Sequence, residues 1–130
     1  KWADVAHYYL RSGIKCNVYR GDLTERRGDC KHTVETFGIK HLRVAADSMT
    51  FGCVPILRHR DDMTEAEDNE CMLVHTRWIS NEEFKNVIWS LTKQHKTFDQ
   101  YSTHWLISRG FDVFGLIESG QAIRKEMGNG

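Results

Sequence analysis

The sequence predicts an α+β domain with an N-terminal helix, a small antiparallel sheet or SH3-like partial barrel, and a C-terminal helical layer. Three observations carry that expectation. Apolar residues at the start recur with the helical period; those from Ile14 to Leu57 alternate as in a strand; those after Asp62 return to helical stripes. The 130 residues, 40% apolar and 28% charged, suit one domain over 1–130 and exclude a disordered or fibrous chain. Lysine and arginine (18) balance aspartate and glutamate (18). A neutral chain disfavours extensive sequence-independent contact with phosphates but allows a local basic patch.

Each element follows from its own signal. Trp2, Val5, Ala6, Tyr9 and Leu10 share one helical face, so a helix is expected over 2–12, stopped by Gly13. From Ile14 to Arg20 the pattern alternates, with Ile14, Cys16 and Val18 on one side, which is a half-buried strand. Gly21-Asp22 reads as a turn and the polar stretch to Asp29 as a loop or weak edge strand. Strands are expected again over Lys31–Phe37 and His41–Ala46, turned by Gly38-Ile39-Lys40. The apolar stretch Cys53–Arg58 contains Pro55, which cannot donate a ladder hydrogen bond and so belongs at an edge or a strand start. The sheet region is thus 14–60.

The helical region spans 64–123. Thr64 with Glu67, and Ser80 with Glu83, have the spacing of capping boxes. Behind the second, Phe84, Val87, Ile88 and Leu91 form one apolar stripe. Phe98, Tyr101, Trp105 and Leu106 suggest another helix, ending at Gly110. A short apolar helix with Phe111, Val113, Phe114, Leu116 and Ile117 would then run to a second stop at Gly120. No apolar run approaches a membrane span, and the start lacks a signal-peptide layout, so a cytoplasmic protein is expected. Scattered Cys16, Cys30, Cys53 and Cys71 agree, reading as reduced thiols.

Three phrases resemble a known family: Trp2-Ala-Asp-Val-Ala-His-Tyr-Tyr-Leu10, Pro55-Ile-Leu-Arg58 followed by Asp62-Met-Thr-Glu65, and Leu106 through Ile123. The family is a set of small uncharacterised proteins of gut Bacteroidales genomes and their phages and prophages. The phrases come in its order and span most of the chain. The resemblance implies a phage-associated protein in the cytoplasm of a bacterial host cell and carries over no catalytic residues. The chain departs from the family pattern between Arg20 and Cys30, which is unusually polar.

Candidate sites are few. His32-Thr33 and His75-Thr76 place hydroxyl and imidazole on adjacent residues, which a strand would send to opposite faces, against the geometry of a two-histidine phosphoesterase. Cys30, His32, His41, Cys53 and His59 are the residues that could meet at a metal, although only Cys30 and His32 have close spacing. Arg26, Arg27, Arg58 and Arg60, with Tyr19, Phe37 and Trp78, could form a phosphate-contacting and stacking surface for nucleic acid. The alternative is that Arg58 and Arg60 pair with Asp61, Asp62 and Glu65. Trp78, Trp89, Tyr101 and Trp105 exceed the core needs of one helical layer and are candidate interface anchors, Trp89 lying beside the stripe rather than in it. No glycine-rich phosphate loop, serine elbow or Cys/His nucleophile signature is present.

The expected function is therefore a non-enzymatic binding protein, with no cofactor. Its partner would be a host or phage protein or a second copy, and it could modulate or inhibit a host defence system. A nucleic-acid-binding accessory protein is the alternative, and a small hydrolase or metal-dependent nuclease the further one.

Overall fold

A computed structural model describes residues 2–19, 32–42 and 53–126. Its architecture is α+β, with an N-terminal helix, a small four-stranded sheet and helices towards the C-terminus. Helix α1 (Trp2–Val5) tightens into a 3-10 turn over Ala6–Tyr9. Trp2, Ala6 and Tyr9, about one turn apart, are the buried members of the predicted face. Regular structure stops short of residue 12 because Ser12 folds back, its N–H and hydroxyl both donating to the Tyr9 carbonyl (3.1 and 2.6 Å).

Strand β1 (Lys15–Tyr19) pairs antiparallel with β2 (His32–Thr36) on one side and β3 (Cys53–Leu57) on the other. A two-residue strand β4 (Ile123–Arg124) adds to β3 in parallel, giving the order β2-β1-β3-β4. The sheet is thus mixed, and its fourth strand begins at Ile123, the last residue of the expected helical region. The described strands form an open sheet rather than a barrel. Ile14, Cys16 and Val18 face the core as their alternation requires. Pro55 lies in an inner strand, contrary to the edge expectation, for a local reason. Leu57 turns its carbonyl towards β4, accepting from Lys125 N–H (2.7 Å). By the two-residue repeat, Pro55 nitrogen faces the same side, where β4 reaches only Ile56 and Leu57.

The expected strand from His41 does not form where it is described: residues 39–42 make a helical turn. Its start is locked by His41, whose N–H donates to the Gly38 carbonyl while its Nδ1 accepts from Gly38 N–H, both at 2.9 Å. The rest of that stretch, with the turn at Gly21-Asp22 and the loop to Asp29, lies outside the described residues.

Helix α2 (Glu65–His75) starts at the predicted capping box, Thr64 Oγ1 accepting from Glu67 N–H and Glu67 accepting from Thr64 N–H. Helix α3 (Glu82–His95) starts one residue later than expected, because Asn81 rather than Ser80 caps Phe84 N–H (3.0 Å). Phe84 then holds the position a second box needs for glutamate. Helix α4 (Gln100–Ser108) follows the Asp99 cap. Beyond it, the expected short helix over 111–120 is absent. Phe111 bridges alongside Arg58, and the buried Asp112 carboxylate accepts from the N–H groups of Phe114, Leu116 and Ile117 (3.1, 3.1 and 2.8 Å). That side chain satisfies donors that a helix would pair along its own backbone.

Two adjoining clusters make the core. Trp2, Tyr9, Cys16, Phe37, Leu57 and Leu116 are in the one beneath the sheet. Cys71, Met72, Trp89, Trp105, Leu106 and Phe111 form the one among the helices. Gly110 sits where they meet, at φ +80°, and a Cβ there would stand 2.9 Å from Ile14 Cγ2. Gly110→Ala is expected to cost about 2 kcal/mol, from left-handed backbone plus overpacking, read as a lower urea midpoint. An unchanged midpoint would mean that the junction relaxes freely. Among the described residues no helix is long and apolar enough to cross a membrane.

Candidate functional site

In the helical layer the structure reverses the face by which a predicted helix docks. At 100° per residue, Phe84, Val87, Ile88 and Leu91 centre on one line of α3, and Trp89 lies about 150° away from it. The helix docks by the Trp89 side. Trp89 is 3% exposed, packed on the rings of His75 (5.6 Å) and Phe98 (5.8 Å), with its indole N–H donating to Asp68 (3.2 Å). The stripe faces outward instead: Phe84, Val87 and Leu91 are 49%, 55% and 47% exposed. An amphipathic helix ordinarily covers its apolar stripe. Here a single tryptophan, with Thr92 on the same side, outweighs four smaller residues as the anchor.

The four aromatic anchors therefore divide. Trp89 and Trp105 are core residues of the helical cluster, so neither is a free surface anchor. Trp78 (67% exposed) and Tyr101 (50%) remain at the surface. Arg77 stacks over the Tyr101 ring at 3.7 Å. Tyr101 and one edge of Trp105 meet in a shallow hollow of about 520 Å³ that Val74 and His104 also line. Trp78 and Trp89 do not line it.

The arginines divide as well. Arg58 donates to both oxygens of Glu67 (2.5 and 2.6 Å) and lies over the Phe111 ring at 4.3 Å, so it is committed within the fold. Its partner is Glu67, not Asp61, Asp62 or Glu65; Asp62 is held by Arg124. Arg60 stacks over Phe98 at 5.4 Å. Arg26 and Arg27, and the side chain of Tyr19, lie outside the described residues. Phe37 is buried against Trp2 and cannot serve as a stacking platform.

One buried arrangement escaped the sequence reading. His75 Nδ1 lies 3.0 Å from Ser102 Oγ, and its Nε2 3.1 Å from Thr92 Oγ1. The Thr92 hydroxyl already donates to the Ile88 carbonyl (2.7 Å), so His75 Nε2–H must be the donor to it. Ser102 in turn reaches Asp99, whose carboxyl sits below its usual range; burial opposes that shift, and the Ser102 hydrogen bonds, His75 and Arg77 outweigh it. Serine, histidine and aspartate in contact resemble a nucleophilic relay in composition only. Ser102 is fully buried and both imidazole nitrogens are engaged, so no carbonyl can approach the hydroxyl. The network ties α2, α3 and α4 together. Its only sequence signal was a histidine ending one helix and hydroxyls on two others.

The metal candidates are dispersed. His32 lies on the exposed strand β2, His41 is buried between Gly38 and Glu35, and His59 Nδ1 accepts from Asp61 N–H. Cys30 lies outside the described residues. Among the described residues, no group of three or more histidine, cysteine or acidic side chains is arranged to hold a metal ion. Cys16, Cys53 and Cys71 are buried and free, and burial pushes the Cys71 thiol up to about 12. Comparison with protein-family models, curated proteins and solved structures found no match.

Proposed function

We propose that this chain is a non-enzymatic binding protein that engages another protein across the outer face of α3. The observation that carries the reading is the stripe of Phe84, Val87 and Leu91, about half exposed on a helix whose opposite side is anchored by Trp89. Contiguous exposed apolar patches of sufficient size mark sites of contact with other proteins. The closed Ser102–His75–Asp99 arrangement and the commitment of Arg58 to Glu67 weigh against hydrolysis and against a phosphate-tracking surface. The resemblance to phage-associated proteins supports a cytoplasmic host or phage protein as the partner, and modulation or inhibition of a defence system as the form its action takes.

A photo-reactive phenylalanine at Val87 tests this inside bacterial cells. The expected result is a defined protein adduct, absent when the probe stands at exposed Asn86, off the stripe, and lost with Leu91→Asp. That variant should melt within about 2 °C of the parent, since Leu91 is a surface residue. Adducts that form equally from Asn86, or survive Leu91→Asp, would remove α3 as the interface.

A further inference from the structure

Between the 3-10 turn Arg60–Asp62, the end of α3 and the turns after Phe111 lies a cleft of about 330 Å³. A second lobe of about 280 Å³ adjoins it, and the two share His59, Arg60, Lys96, Phe98 and Glu118. We infer that this cleft is a binding site for a small phosphate monoester, its phosphate held by Arg60 and Lys96 and its body against Phe98 and Phe114.

Three features support the assignment. The first is charge. Among the described residues, neither Arg60 nor Lys96 has an ion-pair partner, whereas Arg58, Lys93 and Arg124 nearby each have one. Of the acids around the cleft, Asp112 is engaged by three backbone N–H groups and Asp68 by Lys93 and Trp89, while the Asp61 and Glu118 carboxylates, 3.5 and 3.6 Å from His59, are turned largely to solvent. The second is shape. The Arg60 guanidinium carbon lies over Phe98, 5.4 Å from the ring centre, and Phe98, Val113 and Phe114 offer an apolar wall beside it. Thr103 adds a hydroxyl to that wall.

The third is backbone conformation. Lys96 ends α3 at φ 56°, ψ 40°, and is the one non-glycine residue with positive φ among the described residues. Its N–H and that of Thr97 both close on the Thr92 carbonyl, a helix ending for which glycine is the favoured residue. A lysine here costs stability, and it is one of the residues that line both lobes of the cleft. Strain of this sort persists where a side chain is needed for something other than folding.

This predicts opposite effects of one substitution. Lys96→Gly should raise Tm by roughly 4 °C, because the left-handed position is relieved, and should weaken phosphate binding about tenfold. Phenyl phosphate is the probe, with inorganic phosphate and phenol as separate arms, followed by calorimetry and amide chemical shifts. Saturable binding of phenyl phosphate, tighter than either arm, with shifts at Arg60, Lys96 and Phe98, is expected. Arg60→Gln should weaken it about tenfold with Tm little changed. Equal binding of inorganic and phenyl phosphate would overturn the apolar subsite. No saturation by phenyl phosphate, or unaltered affinity in Lys96→Gly, would overturn the site. These outcomes are independent of the α3 interface, which the Val87 probe reports.

Discussion

Trp89→Ala is expected to lose about 4 kcal/mol of stability and to lower Tm by roughly 15 °C. Three terms add. The indole leaves a cavity between His75 and Phe98, Asp68 loses its hydrogen bond from Nε1, and α3 loses the main contact that docks it. Phe98 cannot swing in freely, because Arg60 stacks on it. Trp89→Phe keeps most of the volume and should lose only about 1 kcal/mol, near the value of the hydrogen bond. The contrast with the stripe is the informative part: Leu91→Asp, on the same helix, should leave the melt nearly unchanged. A Trp89→Ala protein melting within a few degrees of the parent, with altered assembly, would return Trp89 to the surface and reverse the orientation of α3.

Arg58→Ala should cost about 3 kcal/mol. It removes a bidentate hydrogen-bonded pair, uncovers the Phe111 ring and leaves a half-buried Glu67 without its counter-charge. Arg58→Lys should recover little of the loss, since an ammonium cannot meet both carboxylate oxygens in one plane. The same pair sets an acid limb. Arg58 hydrogen bonds, opposed by burial and helped by Thr64 N–H, hold the Glu67 carboxyl at about 2, below its ordinary 4.5. Between those values the unfolded chain binds more protons than the folded one, so stability falls as pH falls. The contribution, on the order of 2 kcal/mol, is complete above about pH 4.5 and lost towards pH 2. Glu67→Gln should therefore be less stable than the parent at pH 7 and converge with it towards pH 2. Parallel urea midpoints at both pH values would exclude the pair as the source of the acid limb.

Much of the fold was legible along the chain because its causes are local. The alternation of Ile14, Cys16 and Val18 marks which side of a strand is buried, whatever lies above it. The Thr64–Glu67 box needs only residues three apart, and Gly110 needs only its own positive φ. Where a second local device competed, the reading went astray by little. Asn81 took the cap from its neighbour Ser80, and Asp112 gathered three N–H groups that a helix would have used. The exposed candidates Trp78 and Tyr101 and the half-buried Arg60 were likewise visible as residue types, though not their surroundings.

What the tertiary structure alone decided is which of two apolar faces goes inside. Periodicity identifies the stripe Phe84, Val87, Ile88 and Leu91, but burial is a property of what packs against a face, and no spacing within one helix encodes its neighbour. His75 and Phe98, from two other segments, create the place that Trp89 fills, and most of the stripe is left outside. The same holds for Pro55, admitted to an inner strand because β4 is two residues long, and for Arg58, claimed by Glu67 nine residues on. The cleft at Lys96 is the clearest case: its lysine, arginine and phenylalanine are unremarkable in sequence, and only long-range packing sets two unpaired cations beside an apolar wall.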